Sequence, residues 1–146
     1  MTAKLKRYNV ALWHLLTTGA MQLFDHEPDA ILTSGGGSVG LRAVNLMYQL
    51  GYRVFLIHGM DCSFRGEVQH ASNHLGKRQH PRRVRVGERW FDTASIQVAY
   101  ARQFFDLCEK MRAHSEGRFQ IGLHGDGMLQ AMAKEAMRIN QEEIAA

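Results

Sequence analysis

Cysteine, proline and long apolar runs are scarce in this chain, and each scarcity excludes a class of protein. Two of the 146 residues are cysteines and two are prolines. Cys62 and Cys108 stand far apart with no C-x-x-C pair, which excludes a disulfide framework and predicts that both thiols are reduced. No apolar run reaches the roughly 20 residues that a membrane span needs, so we expect no membrane partner.

The first residues of the sequence do not have the pattern of a secretory signal peptide. The basic start of the chain is followed by an apolar stretch, Val10–Leu16, that is short and interrupted by His14. This pattern is typical of a strand rather than of a signal peptide, so we expect a cytoplasmic protein.

The remaining composition is that of an ordinary soluble domain. Hydrophobic residues make up 45% and charged residues 22% of the chain. A chain of this length predicts one α/β domain over residues 1–146, with a polar tail over about 140–146 that frays.

Positive charge is concentrated in one run, Lys77–Arg85, within a chain of net charge +4. The run is either a solvated loop that enters a strand or a positive rim for an anionic ligand. Nucleic-acid binding is the least favoured alternative, because no recognition helix or aromatic platform accompanies the charge.

Apolar periodicity alternates between strand and helix along the chain, which predicts a mostly parallel, Rossmann-like sheet flanked by helices. A β-hairpin is predicted as an excursion from this sheet, turning at Gly87. The predicted strands are Val10–Leu16, Ala30–Thr33, Arg53–His58, Arg82–Val86, Arg89–Asp92 and Arg118–Leu123, and the predicted helices are Val39–Leu50, a long one ending near His114, and one that follows Gly125–Gly127.

Helical spacing also predicts which faces are buried. In the first helix the apolar stripe is expected to contain Val39, Ala43, Leu46, Met47 and Leu50. In the last helix the inward residues are expected to be Met128, Met132, Ala136 and Ile139.

A glycine-rich loop, Ser34–Gly40, joins a predicted strand to the first helix. Three consecutive glycines, Gly35, Gly36 and Gly37, would let an anion approach the backbone N–H groups at the positive end of that helix. The Ser34 and Ser38 hydroxyls would add donors. The loop is interpreted as neither a Walker A motif nor a full G-x-G-x-x-G fingerprint, and the alternative is a tight turn that packs the helix close to the sheet.

Asp61 follows the strand Arg53–His58, at the end of the sheet where open α/β folds bind ligands. It could hold a divalent metal, bind a sugar hydroxyl or act as a base, with Ser63 assisting. The expected cofactor is Mg²⁺, with Asp61 as its ligand. The alternative is that Asp61 caps the next turn.

Histidines are the third group of candidates. His70 is interpreted as a general acid/base or a phosphate contact, and otherwise as an exposed loop residue. Zinc binding by the group His58, His70, His74 and His80, with Cys62 close in sequence, is a weaker alternative, because no recognisable ligand pair stands at each end. His124 and Asp126 repeat the strand–turn–helix pattern, where a capped helix is favoured over a second ligand contact.

Several of these segments together resemble one family. Thr33–Ala43, Leu50–Arg53 and His58–Phe64 look like the MptE-like domains, which include the archaeal 6-hydroxymethylpterin diphosphokinases and the motility-associated factors linked to flagellin glycosylation. The pattern is also similar to the bacterial sialyltransferases that use a CMP-linked donor. The resemblance covers about residues 10–133 and is carried mainly by the glycine loop together with the Gly-Met-Asp-x-Ser strand end.

This resemblance implies a nucleotide- or nucleotide-sugar-dependent transferase. Ser34 and the three glycines would contact the nucleotide, Asp61 and Ser63 would form the floor of the site, and His70 would lie near the leaving phosphate. Arg65 and Arg82 would stabilise charge that develops on phosphate.

The chain departs from the family pattern at its start. Members usually carry an earlier strand with its own glycine loop that forms half of the nucleotide pocket, whereas this sequence begins at a strand matching the middle of the longer proteins. We therefore expect either a homo-oligomer that completes the site, or a non-catalytic nucleotide-binding or assembly domain.

Overall fold

The computed structural model describes residues 14–15, 32–33, 35–64 and 81–145. The first two of these ranges are the strands β1 (His14–Leu15) and β2 (Leu32–Thr33), which pair in parallel with His14 opposite Leu32. They fall inside the strands predicted over Val10–Leu16 and Ala30–Thr33. The remainder of those two predicted strands lies outside the described residues.

The other elements follow the predicted order closely. The hairpin turns at Gly87, whose φ of +57° lies in the left-handed region that glycine tolerates. The elements are α1 (Val39–Gln49), β3 (Val54–His58), β4 (Pro81–Val86), β5 (Arg89–Ala94), α2 (Ser95–His114), β6 (Gln120–His124) and α3 (Met128–Ala145).

Strand pairing shows an α/β arrangement. β3 and β6 are parallel over five residue pairs, from Val54 opposite Gln120 to His58 opposite His124. β4 and β5 are antiparallel, and the described strands form three two-stranded sheets. Because β3 and β6 run in the same direction, their carboxyl ends meet at one edge.

The core lies where α1, α2 and the start of α3 pack on β3 and β5. Phe104 is 1% exposed at its centre, and the Tyr48 hydroxyl donates a hydrogen bond to the Met111 carbonyl at 3.1 Å, which joins α1 to α2. The fully or nearly fully buried apolar residues include Leu41, Val44, Phe55, Phe91, Ala101, Phe104, Cys108, Met111, Phe119, Met128 and Leu129.

The predicted buried face of α1 is wrong. Val39, Met47 and Leu50 are 71%, 41% and 60% exposed, whereas Leu41 and Val44 are buried. Both stripes have helical spacing, and the packing of Leu41 and Val44 in the core decides between them. Leu46 is the one predicted member that is buried.

The last helix also differs from the prediction. Met128 is buried and Met132 half-buried, but Ala136 and Ile139 are exposed, so only the first part of the helix reaches the core. The polar tail, expected to fray over about 140–146, is helical through Ala145. Within the ranges that the structure describes, no helix has the length and apolarity needed to cross a membrane.

Candidate functional site

The glycine loop bends sharply into α1. Gly35 and Gly36 adopt φ of +124° and +107°, values that side-chain-bearing residues rarely adopt. Ser38 is the N-cap of α1, and its hydroxyl accepts a hydrogen bond from the Leu41 N–H at 3.3 Å. The sequence therefore correctly located the turn and the cap.

Side chains of α1 and α2 hold the loop in place. The Gly37 N–H donates to Gln103 Oε1 at 2.8 Å, and Arg42 Nε donates to the Gly36 carbonyl at 3.0 Å. A Cβ at Gly37 would lie 2.5 Å from Tyr100 Cε1. Close packing thus explains part of the glycine requirement, as the tight-turn alternative predicts.

The first turn of α1 lies against the carboxyl end of β3. A Cβ at Gly40 would lie 2.6 Å from Met60 Cε, next to Asp61. The Val39 and Gly40 N–H groups are in the first turn of α1 and so have no acceptor within the helix. Gly35, Gly37 and Gly40 do have the spacing G-x-G-x-x-G of dinucleotide-binding loops, so the expectation that the loop lacks this fingerprint is wrong.

Asp61 is enclosed by the loop that precedes α3. A Cβ at Gly125 would lie 2.8 Å from Asp61 Oδ1, and one at Gly127 would lie 2.6 Å from both Asp61 Cα and its carbonyl oxygen. Asp61 Oδ1 is buried and has no hydrogen-bond donor among the described residues. A buried carboxylate oxygen without a donor is costly, so it calls for a cation or a ligand hydroxyl.

The N-terminus of α3 is satisfied within the chain. The Met128 N–H donates to the Ser63 hydroxyl at 3.1 Å, and the Leu129 N–H donates to the Asp61 carbonyl at 3.0 Å. Asp126, just before the helix, forms an ion pair with Arg89 at 2.7 Å. The strand–turn–helix at His124 is therefore a capped helix, the alternative that the sequence favoured.

Gln130 joins the two strand ends, a role that the sequence interpretation missed. Its side chain is buried, accepts from the Gly127 N–H at 3.1 Å, and donates to the Met60 and His124 carbonyls at 3.4 and 3.3 Å. A glutamine at the third helical position, bonding back to the N-cap residue, is half of a capping box. That spacing from Gly127 was the signal available in the sequence.

The hairpin brings Arg82 towards the same edge. Arg82 lies opposite Thr93 on β5, and the Thr93 hydroxyl donates to the Cys62 carbonyl at 2.8 Å. Cross-strand partners share a face, so Arg82 and Thr93 are on the side of the hairpin that faces the core, with Arg82 exposed at the rim. Arg83 is on the opposite face, next to Trp90, so the basic run is split between two surfaces.

The predicted site residues fall into two groups. The structure brings the first turn of α1, Asp61, Ser63 and the strand bearing Arg82 towards the carboxyl end of β3. Ser34, Arg65 and His70 lie outside the described residues. Among the residues that are described, no group of three or more histidine, cysteine or carboxylate side chains could hold a metal ion alone.

Cys62 is a useful reporter beside Asp61. It adopts φ of +53°, unusual for a residue with a side chain, and burial together with the Asp61 charge raises the pKa of its thiol to about 11. Because the unfolded thiol loses its proton first, this shift lowers the free energy of unfolding as pH rises from about 9 towards about 11.

We expect Cys62 to react about 100-fold more slowly with iodoacetamide at pH 8 in the folded protein than in urea, since the thiolate is the nucleophile. Asp61→Asn removes a charge that raises this pKa and should accelerate the folded-state reaction. Alkylation rates measured in a Cys108→Ala background test both expectations, with Asp106→Asn as the control. Equal rates in folded and unfolded protein would contradict the buried position of Cys62.

A separate cavity of about 390 Å³ lies between α1 and α2, behind the glycine loop. Gly35, Tyr48, Lys110 and His114 are among the residues that line it. The loop therefore contacts two spaces, this cavity on one side and the Met60–Asp61 edge on the other.

No protein-family model, curated protein or solved structure matches this chain. The resemblance to the MptE-like domains accordingly stays a prediction.

Proposed function

We propose that this chain is a nucleotide- or nucleotide-sugar-binding, transferase-like domain that binds ligand phosphate at the α1 N-terminus. One contrast between the two helix starts supports the proposal. The chain's own Ser63 and Asp61 satisfy the first two N–H groups of α3, whereas the first two of α1 have no intrahelical acceptor, and the first turn of α1 packs on Met60, next to Asp61.

The proposal includes a Rossmann-like continuation of the described strands, in which the β1–β2 pair and the β3–β6 pair belong to one mostly parallel sheet. In such a sheet the glycine loop and Asp61 flank a single ligand crevice. Asp61 follows Gly40 by about 20 residues, the separation at which dinucleotide-binding units place a ribose-binding acid. A cytoplasmic location is part of the same proposal.

The proposed chemistry uses the residues of this edge together with His70. Two reactions are proposed. In glycosyl transfer the acceptor hydroxyl forms a bond to a sugar carbon, and in diphosphoryl transfer it forms a bond to phosphorus. In both reactions a phosphate oxygen of the nucleotide leaves. The charge on that oxygen is stabilised by the α1 N–H groups together with Arg82 and Arg65. His70 acts as the general base that accepts the proton of the acceptor hydroxyl.

Asp61 would hold the acceptor hydroxyl or a Mg²⁺ ion. A single carboxylate fits Mg²⁺ only where phosphate oxygens and waters supply the other ligands, which is how Mg²⁺ is usually bound with nucleotides. The buried Oδ1 of Asp61 lacks a donor within the described ranges, and either partner would reach it only if the loop at Gly125 moves away from it.

Binding without turnover is the second candidate, and a specific observation favours it. Two predicted ligand contacts are already used within the fold: the Gly37 N–H binds Gln103, and the Ser63 hydroxyl caps α3. A homo-oligomer that completes the pocket would restore the catalytic alternative.

The test is thermal stability in the presence of ATP, GTP, CTP, UTP, CMP and UDP-glucose, each with and without Mg²⁺. A ligand at a hundredfold excess over its Kd stabilises the folded state by about 2.7 kcal/mol, which raises Tm by roughly 5–10 °C. Val39→Pro should sharply reduce the shift while the fold persists, because proline fits the first helical position after the extended Ser38 and removes one of the N–H groups proposed to bind phosphate.

Gly51→Ala is the matched control. Gly51 has φ of +99° with open space around its Cβ position, so this change costs stability away from the site and should keep the ligand-induced shift. No shift with any nucleotide, or a shift that is undiminished in Val39→Pro, would overturn the proposed site. Turnover of the ligand that binds separates the catalytic alternative from binding alone.

A further inference from the structure

The carboxyl ends of β3 and β6 present a pair of histidines. His58 and His124 are the last residue pair of the parallel register, directly opposite each other. Their rings stack with centroids 4.4 Å apart and planes within 7° of parallel. Neither residue belongs to the ligand contacts proposed above.

Both imidazoles are open to solvent. His58 and His124 are exposed, and within the described part of the chain neither ring has a hydrogen-bond partner. Each is followed by a glycine, Gly59 or Gly125, so the next residue adds no side chain at this edge. Because both histidine side chains are exposed, the rings have room to rotate.

We propose that His58 and His124 form a two-histidine site for a divalent transition-metal ion, of which Zn²⁺ is the representative. Two imidazole nitrogens bound to one tetrahedral Zn²⁺ lie about 3.3 Å apart, given Zn–N distances of about 2.0–2.1 Å. The ring centroids are 4.4 Å apart, but the lone pairs of face-to-face rings run parallel, so both side chains need to rotate before two nitrogens point at one ion. Water fills the remaining coordination positions.

The donor set determines which ions bind. Imidazole nitrogen suits Zn²⁺, Ni²⁺, Co²⁺ and Cu²⁺, whereas Mg²⁺ and Ca²⁺ prefer oxygen ligands. This site is thus distinct from the Mg²⁺ role proposed for Asp61, and its existence does not depend on nucleotide binding. The strands hold the two ligands together only in the folded chain, so binding should stabilise the fold.

The experiment titrates the full chain with Ni²⁺ and Zn²⁺ in the absence of nucleotide, using isothermal titration calorimetry. Thermal stability and the visible spectrum of the Co²⁺ form serve as further readouts. We expect one ion per chain, a higher Tm, reversal by EDTA and no effect of Mg²⁺. Acidification should weaken binding, since protons compete for the imidazole nitrogens.

Single variants assign the ligands. His58→Ala and His124→Ala should each weaken binding at least tenfold, since loss of a group that merely supports a ligand already costs about 10–100-fold in metal affinity. His114→Ala, which removes an exposed histidine on α2, should leave binding unchanged. Both strand-end variants remove exposed side chains, and circular dichroism checks that they fold.

Two outcomes would overturn the proposal. One is the absence of saturable Ni²⁺ or Zn²⁺ binding by the folded chain. The other is binding that persists in the His58→Ala/His124→Ala double variant, which would assign the ion to other histidines of the chain. Neither outcome bears on the nucleotide shift, so the two proposals fail separately.

Discussion

Replacing Gly127 with alanine is expected to lower Tm by roughly 10 °C or to prevent folding. The new Cβ would lie 2.6 Å from the Asp61 Cα and carbonyl oxygen, and backbone atoms cannot rotate away as a side chain can. Overpacking of this kind typically costs about 1–3 kcal/mol, and contact with backbone puts Gly127 at the upper end. The same displacement would break the bond from the Leu129 N–H to Asp61.

Gly40→Ala is the matched control for this prediction, because both glycines lie at the start of a helix. At Gly40 the added methyl group meets only Met60 Cε, and alanine favours a helix over glycine by about 1 kcal/mol. Thermal unfolding of the two variants should differ by roughly 10 °C or more. Equal effects would show that Asp61 does not pack on Gly127 as described.

Replacing Gln130 with methionine is expected to cost about 3 kcal/mol, again roughly 10 °C in Tm. The substitution keeps the shape of the side chain but leaves the Gly127 N–H and the Met60 and His124 carbonyls without their partner. A buried backbone group left unsatisfied costs about 1–3 kcal/mol, although water can recover part of that loss.

Gln103→Met is the control for Gln130. Gln103 is exposed and accepts one hydrogen bond, from the Gly37 N–H, so its loss should cost about 1 kcal/mol or less. Urea unfolding of both variants gives the two free energies. A Gln130 variant as stable as the Gln103 variant would mean that the amide does not join the strand ends.

Local patterns predicted the elements well. The run of glycines and the cap at Ser38 located the start of α1, and the Gly87-Glu88 turn located the hairpin within one or two residues. These features depend on backbone conformations that a few residue types adopt, so they are visible in one sequence.

Features that depend on tertiary packing could not be predicted from the sequence. α1 carries two apolar stripes of helical spacing, and only the packing of Leu41 and Val44 in the core shows which is buried. The His58–His124 pair depends on β3 pairing with β6 across a long separation, and the order of the residues does not specify that register. The repeated His-Gly at two predicted strand ends was the available signal.

The positions of the candidate site residues were predicted in part. Asp61 lies at the expected strand end, but the use of its carbonyl and of Ser63 as caps for α3 could not be derived without knowing that α3 starts there. Because these caps satisfy the first N–H groups of α3, the phosphate contact is proposed at the start of α1.

The most direct test of that contact is an NMR titration of the ¹⁵N-labelled chain with CMP and ATP in the presence of Mg²⁺. We expect amide shift changes concentrated at residues 36–40 and at Asp61, with the first turn of α3 little affected. Changes confined to the cavity near Lys110 and His114, or no changes with either nucleotide, would contradict the proposed contact.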